Sequence, residues 1–254
     1  MRRRTLLTAW VSGAASALAR PGLAAAADEL VVFAAASLVD ALQGLGKAFR
    51  QRTGQAVVFA FGGSGDLARQ IRAGAPASVF VSADSLRVDE LERAGLVRPA
   101  DRFELLSNRL VVVVPAGSSG APASARELTS LRRIVLADPQ TVPAGAYARQ
   151  WLERAGVWAA LRERVVPALD VRAALAAVEA EAAPAAVVYA TDASGSRRVR
   201  VAFEVPAADA PRIVYVAALL SGAGPAARQF LAYLRSPEAG AVFRRFGFTP
   251  LPAR

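Results

Sequence analysis

Short apolar runs alternate with amphipathic stretches along this chain, and the first pair sets the pattern. Leu30 to Ala36 is an apolar run that suits a buried strand. The apolar positions that follow recur at i, i+4, i+7 and i+11, as Leu38, Leu42, Leu45 and Phe49. This spacing predicts an amphipathic helix directly after the strand. The order of strand and then helix predicts an α/β fold with a mostly parallel sheet.

The second strand and helix are joined by a glycine-rich turn. The strand covers Val57 to Phe61, the turn covers Gly62 to Gly65, and Leu67 and Ile71 then mark a short helix at i, i+4. Backbone amides at a turn of this kind can hold an anion. Tight turns also need glycine for conformational reasons alone. Both interpretations stay open from this stretch by itself.

Further apolar runs and helix signals predict the rest of the fold. Strands are expected at Val79 to Val81, Leu110 to Val114, Ile134 to Ala137, Ala186 to Ala190, Val199 to Val205 and Ile213 to Leu220. Helices are expected at Ser85 to Ala94, from about Ala146, after the N-cap candidate Asp170, and at Phe230 to Leu234 and Val242 to Phe246. Residues 116 to 125 suit a surface loop, and Thr191 to Gly195 suits a turn.

Two serines stand where predicted strands meet predicted helices. Ser37 follows the first strand and Ser64 follows the second. The ligand crevice of a parallel sheet lies at the carboxyl ends of its strands, so the two hydroxyls are expected on one rim. A plain N-cap role remains the alternative for Ser37.

The composition says little about the fold, but it limits which catalytic and metal-binding groups the protein can have. The 254 residues contain neither cysteine nor histidine, and Lys47 is the single lysine. Disulfides, thiolate metal sites and a Ser-His-Asp triad are therefore excluded. A phosphate-handling hydrolase or transferase would lack a Gly-Lys-Ser/Thr sequence after the turn, so we expect no enzyme and keep this class only as a distant alternative. Four of the net +10 charges lie in residues 1–27, and the remaining +6 is spread over isolated arginines, which favours a solvated basic surface over nucleic-acid binding.

Residues 1 to 27 have the features of a cleavable export signal. Three arginines precede the apolar stretch from Leu6 to Ala19, and small residues stand before Asp28. Arg3 to Leu7 also resembles a twin-arginine signal, with a plain basic segment as the alternative. We therefore expect a soluble periplasmic protein.

A series of short motifs runs in order from about residue 30 to the C-terminus. The motifs are Ala35-Ala36-Ser37-Leu38, Gly63-Ser64-Gly65, Gly74-Ala75-Pro76-Ala77, Val81-Ser82-Ala83-Asp84, Asn108-Arg109-Leu110, Pro143-Ala144-Gly145, Asp170-Val171-Arg172 and Val188-Tyr189-Ala190. Each motif is weak alone, but the whole series resembles the periplasmic molybdate-binding proteins of ABC importers.

The resemblance implies a fold and a division of the chain. The fold is a two-lobed periplasmic binding protein of type 2, in which each lobe is a mostly parallel sheet flanked by helices and the ligand cleft lies between the lobes. The first lobe is expected to contain residues 28–107 plus 215–254, and the second lobe residues 108–214.

The resemblance also implies a ligand, a partner and a site. Molybdate, with tungstate as a second ligand, would be held by Ser37, Ser64, Ala144, Val171 and Tyr189 and delivered to a membrane ABC permease by a monomer. Molybdenum would enter only as part of the oxyanion, and no cofactor is implied. Without the resemblance, Tyr189 would be interpreted as a core residue.

The chemistry of a tetrahedral dianion agrees with these residue types. A fully deprotonated oxyanion offers only acceptors, which suits hydroxyls and helix N-termini. Phosphate carries a proton near neutral pH and would need an acceptor, so a site made of donors should disfavour it. The argument requires Asp66 and Asp170 to turn away from the ligand. Sulfate presents the same acceptors, so a protein for sulfate or another small solute on the same fold remains the alternative.

Two positions depart from the family pattern. Ser78 follows Gly-Ala-Pro-Ala where an aspartate is usual, and Val214-Tyr215 stands where a Tyr-Pro pair is common. Both are expected to lie away from the ligand.

Overall fold

The computed structural model describes residues 29–252, and the predicted signal peptide of residues 1–27 lies outside this range. Within it, the strands are β1 Leu30–Ala35, β2 Val57–Gly62, β3 Val79–Ser82, β4 Val97–Ser107, β5 Leu110–Pro115, β6 Ile134–Ala137, β7 Val165–Ala168, β8 Ala186–Tyr189, β9 Val199–Glu204, β10 Tyr215–Leu220 and β11 Thr249–Pro250.

Helices follow most of these strands. They are α1 Val39–Thr53, α2 Ser64–Arg72, α3 Leu86–Arg93, α4 Pro143–Arg154, α5 Trp158–Leu161, α6 Val171–Glu179, α7 Ala190–Ser194, α8 Pro225–Leu234 and α9 Pro237–Arg245. Short 3₁₀ turns lie at Ala36–Leu38, Glu127–Ser130 and Arg162–Arg164.

The strands form two sheets, one in each lobe. The first has the order β11-β4-β10-β3-β1-β2, and the second has the order β7-β6-β8-β5-β9. In the first sheet β1 runs parallel to β2 and β3, whereas β10 and β11 pair antiparallel with their neighbours. In the second sheet β6 runs parallel to β7 and β8, whereas β5 pairs antiparallel with β8 and β9.

The two-lobed α/β fold is confirmed, but the expectation of mostly parallel sheets was too broad. Each sheet is mixed, with a parallel group of three strands beside antiparallel ones. The cause is connectivity. Strands β5 and β10 enter their sheets directly from the segments that cross between the lobes, without the helical crossover that a parallel strand needs.

Several local expectations are corrected as well. Helix α4 begins at Pro143 rather than near Ala146, and the predicted turn at Thr191 to Gly195 is the short helix α7. Proline suits the first turn of α4 because an amide there has no intrahelical acceptor. The long strand β4 was not predicted, because its polar residues and Pro99 hide any apolar alternation.

The apolar face predicted for α1 is buried as expected. Leu42, Leu45 and Phe49 are almost fully buried, and the ring of Phe49 packs edge-on against Phe230 of α8 with 5.1 Å between centroids. This packing anchors α8 to α1, which follows the 3₁₀ turn that contains Ser37. Among the described residues no helix is long and apolar enough to cross a membrane.

Candidate functional site

A small cavity between the lobes brings together every residue that the resemblance singled out. Its wall includes Ser37 and Ser64 from the first lobe and Ala144, Val171 and Tyr189 from the second. The cavity holds about 200 Å³ of space that no protein atom occupies, its mouth included. All five residues are at most 3% exposed. The structure thus assembles the predicted set in one place, while their contact with a ligand stays a prediction.

The starts of four helical segments converge on this cavity. They are the 3₁₀ turn at Ala36 that leads into α1, and the first residues of α2, α4 and α6. The first amides of a helix have no intrahelical acceptor, and the helix dipole places partial positive charge there. In α6 the N-cap Asp170 accepts a bond from the Ala173 amide at 2.9 Å. That cap leaves the Val171 amide to the cavity.

Both serine hydroxyls have a hydrogen-bond partner within the protein. Ser64 acts as the acceptor, and Ser37 can act as the acceptor. Ser64 Oγ accepts a hydrogen bond from the backbone amide of Ala83 at 3.1 Å, so its own proton remains to be donated. Ser37 Oγ lies 2.9 Å from the phenolic oxygen of Tyr215, and either oxygen can be the donor in that pair. The simple N-cap role for Ser37 is not seen, because no side chain caps the helical start there.

Tyr189 is a residue of the cavity wall whose hydroxyl lacks a hydrogen-bond partner. Its hydroxyl is buried, and no protein atom forms a hydrogen bond with it. Burial raises the pKa of this phenol well above its usual value, with smaller contributions from Tyr215 and Tyr147. Tyr189 therefore keeps its proton and can donate it to a group in the cavity. A buried hydroxyl without a partner costs about 1–3 kcal/mol, which a ligand acceptor would recover.

Within the described range, the one carboxylate on the cavity wall, that of Asp170, is engaged within its own helix. Asp170 uses its oxygen to cap α6. Asp66 pairs with Arg69 on the outer side of α2 and is absent from the cavity wall. No lysine or arginine is part of the wall among the residues that the structure describes. Hydroxyls and amides are thus the groups left to meet an anion.

A chain of charged side chains lies beside the cavity. Arg172 Nε is 3.0 Å from Asp192 Oδ1, a charge contact without hydrogen-bond geometry. The same guanidinium pairs with Asp40 of the first lobe, so Arg172 links the lobes. Burial raises the pKa of Asp192 to about 7, opposed first by Arg172 and then by the Tyr189 amide.

The lobes are closed on each other around the glycine-rich turn. A β-carbon on Gly65 would lie 2.1 Å from the carbonyl oxygen of Thr141, and one on Gly63 would lie 3.0 Å from that of Leu169. Arg87 also donates to the carbonyl of Gln140 at 3.1 Å across the cleft. Neither Gly63 nor Gly65 has a positive φ. These glycines therefore serve the close approach of the second lobe rather than the shape of the turn.

Two residues of the site were missed by sequence reasoning. Tyr215, expected to lie away from the ligand, bonds to Ser37, and Asn108 Nδ2 donates to the Tyr215 oxygen at 3.3 Å. Tyr215 does not line the cavity wall, so its expected place away from the ligand is not contradicted. Its bond to Ser37, which is 178 residues away in sequence, was not predicted. The Asn108-Arg109-Leu110 motif was the available signal, but no spacing connects it to Ser37.

The described part of the chain holds no cluster of three or more side chains suited to a bare metal ion. The cavity wall agrees with that, since its side chains are hydroxyls and apolar groups with the one capping carboxylate. Hydroxyls and amides suit an oxyanion better than a cation.

Comparisons with known proteins point in the same direction. Residues 30–249 match the family described as "Bacterial extracellular solute-binding protein". The "Molybdate-binding protein ModA" of Escherichia coli (strain K12) is 40% identical over 246 residues, which cover 94% of this chain and 96% of that protein. The structure of the Azotobacter vinelandii periplasmic molybdate-binding protein aligns with a TM-score of 0.77 and 28% identity, covering 88% of this chain and 100% of its own.

A third likeness concerns the fold alone. The sulfate-binding protein SubI of Mycobacterium tuberculosis H37Rv aligns with a TM-score of 0.77 at 17% identity, over 88% of this chain and 87% of that one. Together with the matched residues, which span both sheets, these likenesses agree with a binding protein rather than an enzyme. The chain belongs to the family of bacterial extracellular solute-binding proteins.

Proposed function

We propose that this protein captures molybdate between its two lobes and delivers it to an ABC permease in the cytoplasmic membrane. Tungstate, which offers the same four acceptor oxygens, is the second ligand. Ser37, Ser64 and Tyr189 donate through their hydroxyls, and Ala144 and Val171 donate through their backbone amides. The relatives named for molybdate support this choice of ligand.

The observation that carries the proposal is the Tyr189 hydroxyl, buried at the cavity without a partner. Buried polar groups in folded proteins nearly always have a hydrogen-bond partner. Because this group is a protonated phenol next to two serine hydroxyls, the missing partner is an acceptor. A fully deprotonated tetrahedral oxyanion supplies acceptors on every side.

Sulfate is the rival ligand on the same reasoning. It is also a tetrahedral dianion without a proton near neutral pH, and a protein of this fold named for sulfate exists. Only the size of the closed cavity separates the two ions, since molybdate is the larger. The 40% identity to a protein named for molybdate favours molybdate here.

The route and the form of the protein are part of the proposal. Residues 1–27 direct export to the periplasm, where the protein acts as a monomer. The closed form presents both lobes at once to the permease, and the open form does not, which is how a two-lobed binding protein can signal that it carries ligand.

The experiment compares molybdate binding by Ser64→Ala with binding by the matched control Ser221→Ala. Ser221 lies on the surface and donates to the Gly95 carbonyl, far from the cavity wall. In a thermal-shift assay, molybdate should raise the melting temperature of the wild type and of the control strongly. Ser64→Ala should need roughly tenfold more molybdate for the same rise. Equal responses of all three proteins would contradict the proposed site.

A further inference from the structure

The hydrogen bonds behind Ser37 form a directed chain that begins at Asn108. The backbone amide of Arg109 donates to Asn108 Oδ1 at 2.9 Å. A backbone amide can only donate, so this contact fixes which end of the Asn108 side chain is oxygen. The nitrogen Nδ2 therefore faces Thr191 Oγ1 at 2.9 Å and the Tyr215 oxygen at 3.3 Å.

The direction set at Asn108 passes to Tyr215. An amide nitrogen has two protons and no acceptor, so Nδ2 donates to the Tyr215 oxygen. The phenol has a single proton of its own, and its other partner is Ser37 Oγ at 2.9 Å. Tyr215 is fully buried, and burial raises the pKa of its phenol far above the usual value. The phenol thus stays protonated and donates to Ser37.

Ser37 is the last member of the chain and lines the cavity. Because its oxygen accepts from Tyr215, its own proton is left for a group in the cavity. Ser64 reaches the same state through the Ala83 amide. Both serines are therefore set as donors before any ligand arrives, which lowers the cost of orienting them on binding.

The series of hydrogen bonds from Asn108 to Ser37 lies where the polypeptide crosses between the two lobes. Asn108 stands between β4 of the first lobe and β5 of the second, and Tyr215 begins β10 on the return to the first lobe. Ser107 Oγ donates to the Ile213 carbonyl at 2.8 Å and ties these two crossing segments together. Ser37 is thus oriented from the connection between the lobes and not from its own lobe alone.

We propose that Asn108 and Tyr215 are positioning residues that hold the Ser37 hydroxyl as a hydrogen-bond donor to the bound oxyanion. This deepens the proposed function and rests on it. Neither residue needs to touch the ligand, since both act through Ser37.

A double-mutant cycle of molybdate binding, measured by calorimetric titration, tests this directly. Ser37→Ala and Tyr215→Phe should each raise the Kd about tenfold. The double variant should bind about as weakly as Ser37→Ala alone, because Tyr215 has nothing left to orient. Tyr233→Phe, which removes a phenol oxygen 3.4 Å from Glu238 away from the cavity, is the matched control and should leave the Kd unchanged. Independent losses that multiply to about a hundredfold would overturn the proposal, as would an unchanged Kd in Tyr215→Phe.

A second variant covers the case in which Tyr215→Phe does not fold. Asn108→Asp replaces the donating nitrogen with an accepting oxygen, so the Tyr215 proton turns toward the new carboxylate and Ser37 must donate to Tyr215. Binding should weaken at least tenfold in the wild-type background and much less in the Ser37→Ala background. An equal loss of affinity in both backgrounds would show that the new charge repels the ligand directly and does not act through Tyr215 and Ser37. That result would overturn the proposal.

The wild-type titration separates this proposal from the proposed function. It is run with molybdate, tungstate, sulfate and phosphate. Binding of sulfate alone would contradict the proposed function, and the cycle would then be measured with sulfate. Binding of none of the four would overturn both proposals. If molybdate binds and the losses of affinity in Ser37→Ala and Tyr215→Phe are independent, only the positioning role of Asn108 and Tyr215 is overturned.

Discussion

Tyr189 is the residue on which the proposed binding of an oxyanion in the cavity depends most. It is 1% exposed, and its hydroxyl has no protein partner. The ring lies 5.8 Å from that of Tyr215, so packing holds it in place without help from its oxygen. The hydroxyl is therefore free to serve a ligand rather than the fold.

Tyr189→Phe should separate binding from stability. Molybdate affinity should fall roughly tenfold to a hundredfold, since a hydrogen bond to a charged acceptor is lost. The ligand-free protein should be no less stable than the wild type, because the deleted hydroxyl makes no bond within the protein. Calorimetric titration and thermal unfolding of the same samples measure the two quantities. A large drop in the melting temperature without ligand would show that the hydroxyl supports the fold instead.

Asp192 should make stability depend on pH. Its pKa in the folded protein is about 7 because the carboxyl is buried, whereas an unfolded chain releases this proton near pH 4. Between these values the folded state binds more protons than the unfolded state. The stabilising contribution of this group is therefore complete below about pH 4 and is lost as the pH rises through 7.

The matched variant for this effect is Asp192→Asn. From pH 5 to pH 8 the free energy of unfolding of the wild type should fall by roughly 2 kcal/mol more than that of the variant. Denaturant unfolding at several pH values measures the difference. Identical pH dependence in both proteins would mean that Arg172 keeps Asp192 ionised throughout.

Among the structural elements, the start of α2 is where the second lobe comes closest to the glycine-rich turn. Gly65 lies in the first turn of the helix, and Thr141 of the second lobe approaches it directly. A β-carbon at this position would overlap the Thr141 carbonyl in the closed form. The first lobe alone would tolerate the change, since alanine favours a helix over glycine.

Gly65→Ala should therefore weaken binding without harming the fold. The overlap should raise the Kd for molybdate by tenfold or more, because overpacking against backbone costs about 1–3 kcal/mol. Gly44→Ala on the exposed face of α1 is the control, since nothing lies within 4 Å of its added β-carbon. Titration and small-angle scattering with and without molybdate test both affinity and closure. An unchanged Kd in Gly65→Ala would mean that the ligand-bound lobes do not approach this closely.

The sequence predicted the elements that have a strong local pattern. Strands β1 and β5, helix α1 and the N-cap Asp170 are confirmed, because burial and capping are encoded within a few residues. Strand β4 was missed, because pairing with the distant β10 forms it and its own residues show no apolar alternation.

The sequence singled out the candidate residues that the structure groups together, but it did not predict the contacts that hold them. The five candidate residues stand in recognisable motifs, and the structure places them on one cavity wall. The bonds from Tyr215 and Asn108 to the site span more than 80 residues in sequence. The role of Gly65 depends on the backbone of the other lobe. No local pattern encodes contacts of either kind.

At the scale of the whole molecule, the proposed function couples ligand binding to closure of the lobes. Two donor hydroxyls belong to the first lobe, and Tyr189 with two helix starts belongs to the second. Only the closed form brings all of them around one ion. The ion pair from Arg172 to Asp40 also spans the lobes, but such a partly exposed pair contributes about 1 kcal/mol at most. We therefore expect a bound ion to add to the free energy that holds the lobes together.

Calorimetric titration of the purified protein with four oxyanions tests the central claim most directly. Molybdate and tungstate should bind with similar affinity, and sulfate more weakly because it is smaller than molybdate. Phosphate should bind most weakly because it carries a proton, and the Asp170 carboxylate on the cavity wall is already engaged in capping α6. Phosphate binding as tight as that of molybdate, or an absence of heat with molybdate and tungstate, would contradict a site built from donors for a deprotonated metal oxyanion.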